Sequence, residues 1–240
     1  MEYFYVPPQT PNPAPGRHLV IDGDEFNHLT HVMRKQVGDA IRIVDGIGNA
    51  YDATIADISK RAAQCMIQAH HHRLHEPSLD VTIAVAVLKS FSNFDFLVEK
   101  ATELGVNRIV PLRTGRTIPQ HAKTDRWQKL ALAAMKQSGR CMLPHVHPLT
   151  SFSDFMATSQ EGLRMIAYEK VASPSLAGVV GNRNETSVVI CIGPEGGFTD
   201  DEVELAVSSG FVAVSLGERR LRTETAAIVS AGIVLAAGPR

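Results

Sequence analysis

Two short segments near the end of the chain hold the residue types best suited to gripping a small ligand. The first, Gly193-Pro194-Glu195-Gly196-Gly197-Phe198, follows the apolar run SVVICI. The second, Leu216-Gly217-Glu218-Arg219-Arg220-Leu221-Arg222, leads into Thr223-Glu224-Thr225 and a further apolar stretch. Glycines lack a Cβ, so they allow positive φ and let a backbone approach a ligand closely. Thr199 followed three residues later by Glu202 is a capping-box pattern, which starts a helix directly after the first loop. The glycine spacing matches neither GxGxxG nor the P-loop pattern. Glu195 would repel a phosphate and suits a ligand that carries positive charge. On these residues alone the first segment is a ligand loop or a tight strand-to-helix turn. The three arginines of the second are an anion site or a solvated charged loop.

These loops need a scaffold, and the hydrophobic pattern supplies one. From Leu79 onward, apolar strand-like runs (VTIAVAVL, RIVPL, LRMIAY, SVVICI, VAVSLG) alternate with stretches of helical period. Phe94, Leu97, Val98, Ala101 and Leu104 lie on one helical face, which Gly105 ends. Trp127, Leu130, Ala131 and Ala134 mark a second helix, with Trp127 in the core, and further helices are predicted over 199–208 and 223–237. Continuous apolar strands separated by helices predict an α/β domain with a mostly parallel sheet. In such sheets ligands bind beyond the carboxyl ends of the strands, where the Gly193 loop falls.

Residues 18–68 read differently. Four short β-type runs separated by turn signals predict a small barrel, with one short helix near Glu25–Arg34. Prolines at 7, 8, 11, 13 and 15 make the first segment a loop or extended arm. The tract His70-His71-His72 reads as a solvated linker, giving domains at 1–73 and 78–240.

Lys plus Arg number 24 against 25 Asp plus Glu, so the net charge is −1 and any RNA contact must be a local patch. The 3 cysteines, Cys65, Cys141 and Cys191, are too scattered for a disulfide framework or a metal site. With no secretory leader and no run of ~20 apolar residues for a membrane span, the expectation is a cytoplasmic protein without membrane or metal.

Five segments together resemble one family: IGPEGGF (192–198), SLGERRLRTETAA (215–227), EKATELGVNRIVPL (99–112), HVMRKQVGDAIRIVDGIGNAYDATI (31–55) and WQKLALAAMKQSGR (127–140). They are similar to the small-subunit ribosomal RNA methyltransferase E family, uridine-N3 methyltransferases of the SPOUT superfamily. The resemblance implies a PUA-like RNA-binding β-barrel followed by a trefoil-knotted α/β domain that binds S-adenosylmethionine. It implies cofactor contacts from Gly193, Glu195, Gly196, Gly197, Leu216, Gly217, Leu221, Arg222 and Thr223, a homodimer, and 16S rRNA of the small subunit as substrate. Two departures stand out: Lys89-Ser90-Phe91-Ser92-Asn93 replaces a more basic segment, and Lys136 stands where the family often has glutamate.

Removing a uridine N3 proton leaves negative charge that a cation stabilises. Arg222 is the candidate for that role, with Glu224 as base or as the group that orients Arg222. Glu224 also reads as a helix N-terminal carboxylate stabilised by the helix dipole. Candidate phosphate contacts are Arg34, Lys35 and Arg42 in the first domain and Arg113, Arg116 and Arg140 in the second. The alternatives are a knotted methyltransferase of a ribose 2′-hydroxyl or another base, and a non-catalytic RNA-binding assembly factor.

Overall fold

Alternating burial organises the first 72 residues. In a computed structural model, which describes residues 1–159, 162–168, 174–181 and 185–237, β1 (Tyr3–Tyr5), β2 (His18–Asp22), β3 (Ala40–Val44), β4 (Asn49–Ile58) and β5 (Ala62–His72) form one sheet. Its order is β1-β3-β4-β5-β2. β2 and β5 bury every second residue over most of their length, and Phe4, Leu19, Ile21, Ile41, Ile43, Ile55 and Ile67 fill the core they share. Helix α1 (Gly23–Asn27) runs into a π-helical turn, His28–Val32, and adds Phe26 and Leu29 to that core. Register shifts at Asp52/Ala53 and Ile55/Asp57 bend the long β4–β5 ribbon. The strand path does not close, so β1 and β2 stand at its two ends rather than pairing into a complete barrel.

One expectation is met and one needs correction here. Residues 6–17 form neither helix nor strand, as the prolines predict, and just before them β1 pairs parallel to β3. The histidine tract is not a linker: β5 continues through His72 opposite Asn49–Tyr51. His70 Nε2 lies 2.9 Å from Asn49 Oδ1, with its ring stacked on Tyr51, and His71 Nε2 lies 2.9 Å from Asp52 Oδ2. Long-range strand pairing overrides the polar composition of the tract.

The chain divides into two compact units, Met1–Glu76 with Met135–Leu143, and Pro77–Ala134 with Pro144–Arg240. The first is therefore discontinuous in sequence. Side-chain chemistry explains why 135–143 joins it. Glu76, its side chain fully buried, accepts from Arg140 Nη2 at 2.8 Å and Nε at 3.1 Å, and from the amides of Cys141 and Met142. Lys136, the residue that departs from the family pattern, forms an ion pair with Glu25.

In the second unit β6 (Asp80–Ala86), β7 (Arg108–Arg113), β8 (His145–Val146), β9 (Thr150–Ser151), β10 (Leu163–Ala167), β11 (Ser187–Ile192) and β12 (Val212–Val214) make one sheet. Its order is β12-β10-β11-β6-β7-β8, with β9 also on β7, and every pairing is parallel. β6 and β11 lie at its centre and are buried almost end to end, which accounts for their unbroken apolar sequence. Helices α2 (Phe91–Leu104), α3 (Thr124–Ser138), α4 (Phe152–Thr158), α5 (Leu176–Val180), α6 (Asp200–Ser208) and α7 (Thr223–Ala236) complete the fold, α3 ending within the first unit. α2 buries Phe94, Leu97, Val98 and Ala101 as its period requires, while Leu104 is exposed, and Gly105 ends the helix in the left-handed region. Trp127 is fully buried against Phe94 and donates Nε1 to Asp95. β8, β9, α4 and α5 are too short to show a period in the sequence. Among the described residues no helix is long and apolar enough to cross a membrane.

The Arg140–Glu76 pair gives a direct expectation. Removing one partner strands the other's charge in the interior, at a cost of about 3–5 kcal/mol. Arg140→Ala should lower the urea midpoint accordingly; a change below about 1 kcal/mol would show that the pair does not hold 135–143 in place.

Candidate functional site

Parallel pairing sends the carboxyl ends of β10, β11 and β12 to one edge of the sheet. β11 ends at Ile192 and opens the glycine loop, and β12 ends at Val214 and opens the arginine loop. With β10 between them, the two strands lie two spacings apart, roughly 10 Å. The loops therefore face each other across the end of one strand.

The glycine loop is built inward from its apolar members. Pro194 is buried, and Phe198 enters the core against Phe152. Gly193 permits the fold-back: a Cβ there would stand 3.0 Å from the Phe198 amide nitrogen. Gly197, at φ 69°, donates its amide to the Pro194 carbonyl at 2.8 Å. Thr199 then caps α6 in a full capping box with Glu202, as its spacing predicts.

Helix α7 joins the two loops. Thr223, buried at its first turn, donates Oγ1 to the Gly193 carbonyl at 3.0 Å. Glu224 accepts from Asn93 Nδ2 at 3.0 Å, and Glu195 Oε1 accepts from the Lys89 amide at 3.3 Å. The segment 89–93 thus touches the glycine loop and the first turn of α7. Arg222 is the exposed N-cap position of α7, Leu221 is exposed, and Leu216 is half-buried. Gly217 is exposed at φ 106°.

A side chain that the sequence did not single out stands between the loops. Tyr168 follows β10, donates its amide to the Val214 carbonyl of β12, and its hydroxyl bonds Asp200 at the start of α6. Its place depends on β10 lying between β11 and β12, an order no local signal carries. Cys191, at the base of the loop, is wholly buried and its thiol is pushed far up, so it is no nucleophile.

The candidate phosphate contacts divide. Arg34, in the left-handed region, and Arg113, at the end of β7, are exposed. Lys35 pairs with Glu2 at 2.7 Å, and Arg42 holds Asp52 at 2.6 Å and the Tyr3 hydroxyl at 3.0 Å. Arg116 donates to carbonyls of the glycine loop. Arg140, 3% exposed and paired with Glu76, does not meet solvent and is withdrawn from the set. Among the described residues no three His, Cys, Asp or Glu side chains gather in a way that could hold a metal ion.

Comparison with known proteins decides the family. Residues 75–235 match the model of the RNA methyltransferase domain, and residues 21–68 match that of the RNA methyltransferase PUA domain. The ribosomal RNA small subunit methyltransferase E of Synechocystis is 35% identical over 211 residues, covering 86% of this chain and 69% of that protein. The chain belongs to the ribosomal RNA small subunit methyltransferase E family. The family member of Bacillus subtilis is 30% identical over 218 residues, covering 86% of this chain and 85% of that protein. The crystal structure of the Neisseria gonorrhoeae family member, bound to S-adenosylmethionine, superposes with a TM-score of 0.84 at 30% identity over 96% of this chain and 95% of that one. A methyltransferase from Legionella pneumophila with bound SAM gives 0.85 at 28% identity, covering 98% and 97%.

The contacts around Gly193 predict an order of effects. Thr223→Val removes one hydrogen bond and should cost about 1 kcal/mol. Gly193→Ala forces backbone apart and should cost about 1–3 kcal/mol. Chemical denaturation of the two variants checks this; an Ala variant as stable as wild type would mean that the fold-back is not tight.

Proposed function

We propose that this chain transfers a methyl group from S-adenosylmethionine to N3 of a uridine in 16S rRNA of the small ribosomal subunit. The observation that carries the reading is the pair of glycine-bearing loops at one edge of a parallel sheet, joined by Thr223 and Gly193. Family membership and the cofactor-bound relatives support the same reading.

The residues present fit the cofactor. Gly197 and Gly217 both face open space, with nothing within 4 Å of where a Cβ would stand, so a ligand can lie directly on either backbone. Gly193, Glu195, Gly196, Gly197, Leu216, Gly217, Leu221, Arg222 and Thr223 would hold it. Glu195 supplies negative charge on the rim, which suits a sulfonium. When bound, that cofactor supplies an electrophilic methyl group and needs no metal. The protein's part is to align the acceptor nitrogen with it.

Arg222 is free of any capping bond and exposed at the α7 N-terminus, where it can stabilise charge spreading onto the uracil oxygens as the N3 proton leaves. Asn93 donates to Glu224, which keeps that carboxylate an acceptor beside Arg222, as base or as orienting group. The first unit, with exposed Arg34, contributes phosphate contacts that position RNA, and Arg113 does so from the second. The reading includes a trefoil knot around the two loops, a homodimer and a cytoplasmic location.

Methyl transfer from labelled S-adenosylmethionine to small-subunit rRNA tests the proposal. Arg222→Ala should lower kcat about 100-fold or more. Wild-type rate with unchanged RNA affinity would remove Arg222 from the chemistry. Label on a ribose 2′-hydroxyl would support the alternative enzyme, and RNA binding without transfer would support an assembly factor.

A further inference from the structure

The loop after β7 reaches across to the glycine loop. Arg116 Nη1 donates to the carbonyl of Gly196 at 2.7 Å and to that of Phe198 at 3.1 Å. Its neighbour Gly115 donates its amide to Glu202 Oε1 at 2.7 Å, while Oε2 of that carboxylate accepts from the Thr199 amide at 2.9 Å. The turn bearing these residues is itself closed, Thr114 donating its amide to Thr117 Oγ1 at 3.0 Å with both threonines buried. The Arg116 stem also lies along Gly196, where a Cβ would stand 3.3 Å from Arg116 Cδ. A side chain at Gly196 would crowd the Arg116 stem.

We propose that Arg116 is a positioning residue for the cofactor loop and not a phosphate contact. This rests on the reading of that loop as the S-adenosylmethionine site. Peptide planarity means that fixing the Gly196 and Phe198 carbonyls also fixes the planes of the Gly197 and Thr199 amides. With Thr223 on the Gly193 carbonyl and Gly197 on that of Pro194, four carbonyls of the loop are satisfied from within the protein. The loop is held in one shape before a ligand arrives, which lowers the ordering cost of binding. The bonds from Arg116 and to Glu202 are charge-assisted, stronger than neutral ones.

The test uses the full chain with Arg116→Ala and Arg116→Lys, the latter retaining charge should the former fold poorly. Hydrogen exchange over residues 193–199 is followed without ligand, S-adenosylmethionine affinity by calorimetry, and affinity for a small-subunit rRNA fragment across a salt series. Arg116→Ala should speed exchange in the loop and weaken cofactor binding about tenfold or more. RNA affinity and its salt slope should stay within about twofold. Arg116→Lys should recover part of the cofactor loss. Unchanged exchange with unchanged cofactor affinity overturns the proposal, as does lost RNA affinity with a shallower salt slope. A wild-type chain that gives no heat with S-adenosylmethionine overturns the cofactor reading instead, and exchange in the unliganded protein still decides whether Arg116 fixes the loop.

Discussion

A buried threonine hydroxyl, Thr223 Oγ1, donates to the Gly193 carbonyl 3.0 Å away and joins the start of the last helix to a loop thirty residues earlier in the chain. That bond ties the first turn of α7 directly to the backbone of the glycine loop. With it, the N-terminus of α7 carries Arg222 and Glu224 to the edge of the glycine loop. Parallel pairing of β10, β11 and β12 makes the bond possible, because it delivers both loops to one edge of the sheet. The apolar interior of those strands is therefore part of the site's chemistry. It sets the spacing that Thr223 then closes.

Charge is arranged by the same economy. A chain of net charge −1 that handles RNA must keep its cations from being cancelled, yet several are spent inside the fold. Arg140 neutralises Glu76, Lys136 meets Glu25, Lys35 meets Glu2 and Arg42 meets Asp52. Arg116 is spent on backbone carbonyls. Exposed arginines include those at 34 and 113, and those at 219, 220 and 222 in the loop that leads into α7.

What could be read from the sequence was local. The Gly193 turn, the Thr199–Glu202 cap, the faces of α2 and α3 and the buried strands all follow from residues within a few positions of one another. What escaped was long-range. Arg116 lies 80 residues from Gly196, and Asn93 lies 131 from Glu224, so no periodicity announces either contact. Tyr168 occupies its place only because of strand order. The histidine tract misled for the opposite reason: its composition is that of a linker, but Asn49, Tyr51 and Asp52 on β4 give the rings of His70 and His71 partners. Arg140 misled because one buried carboxylate, Glu76, converts a basic residue into a structural one.

The central claim is that these two loops together methylate a single uridine of small-subunit rRNA. The most direct measurement is nucleoside mass spectrometry of that rRNA from cells lacking this gene, before and after the gene is restored. The account predicts one N3-methyluridine that disappears with the gene and returns with it. An rRNA modification profile identical with and without the gene would contradict it.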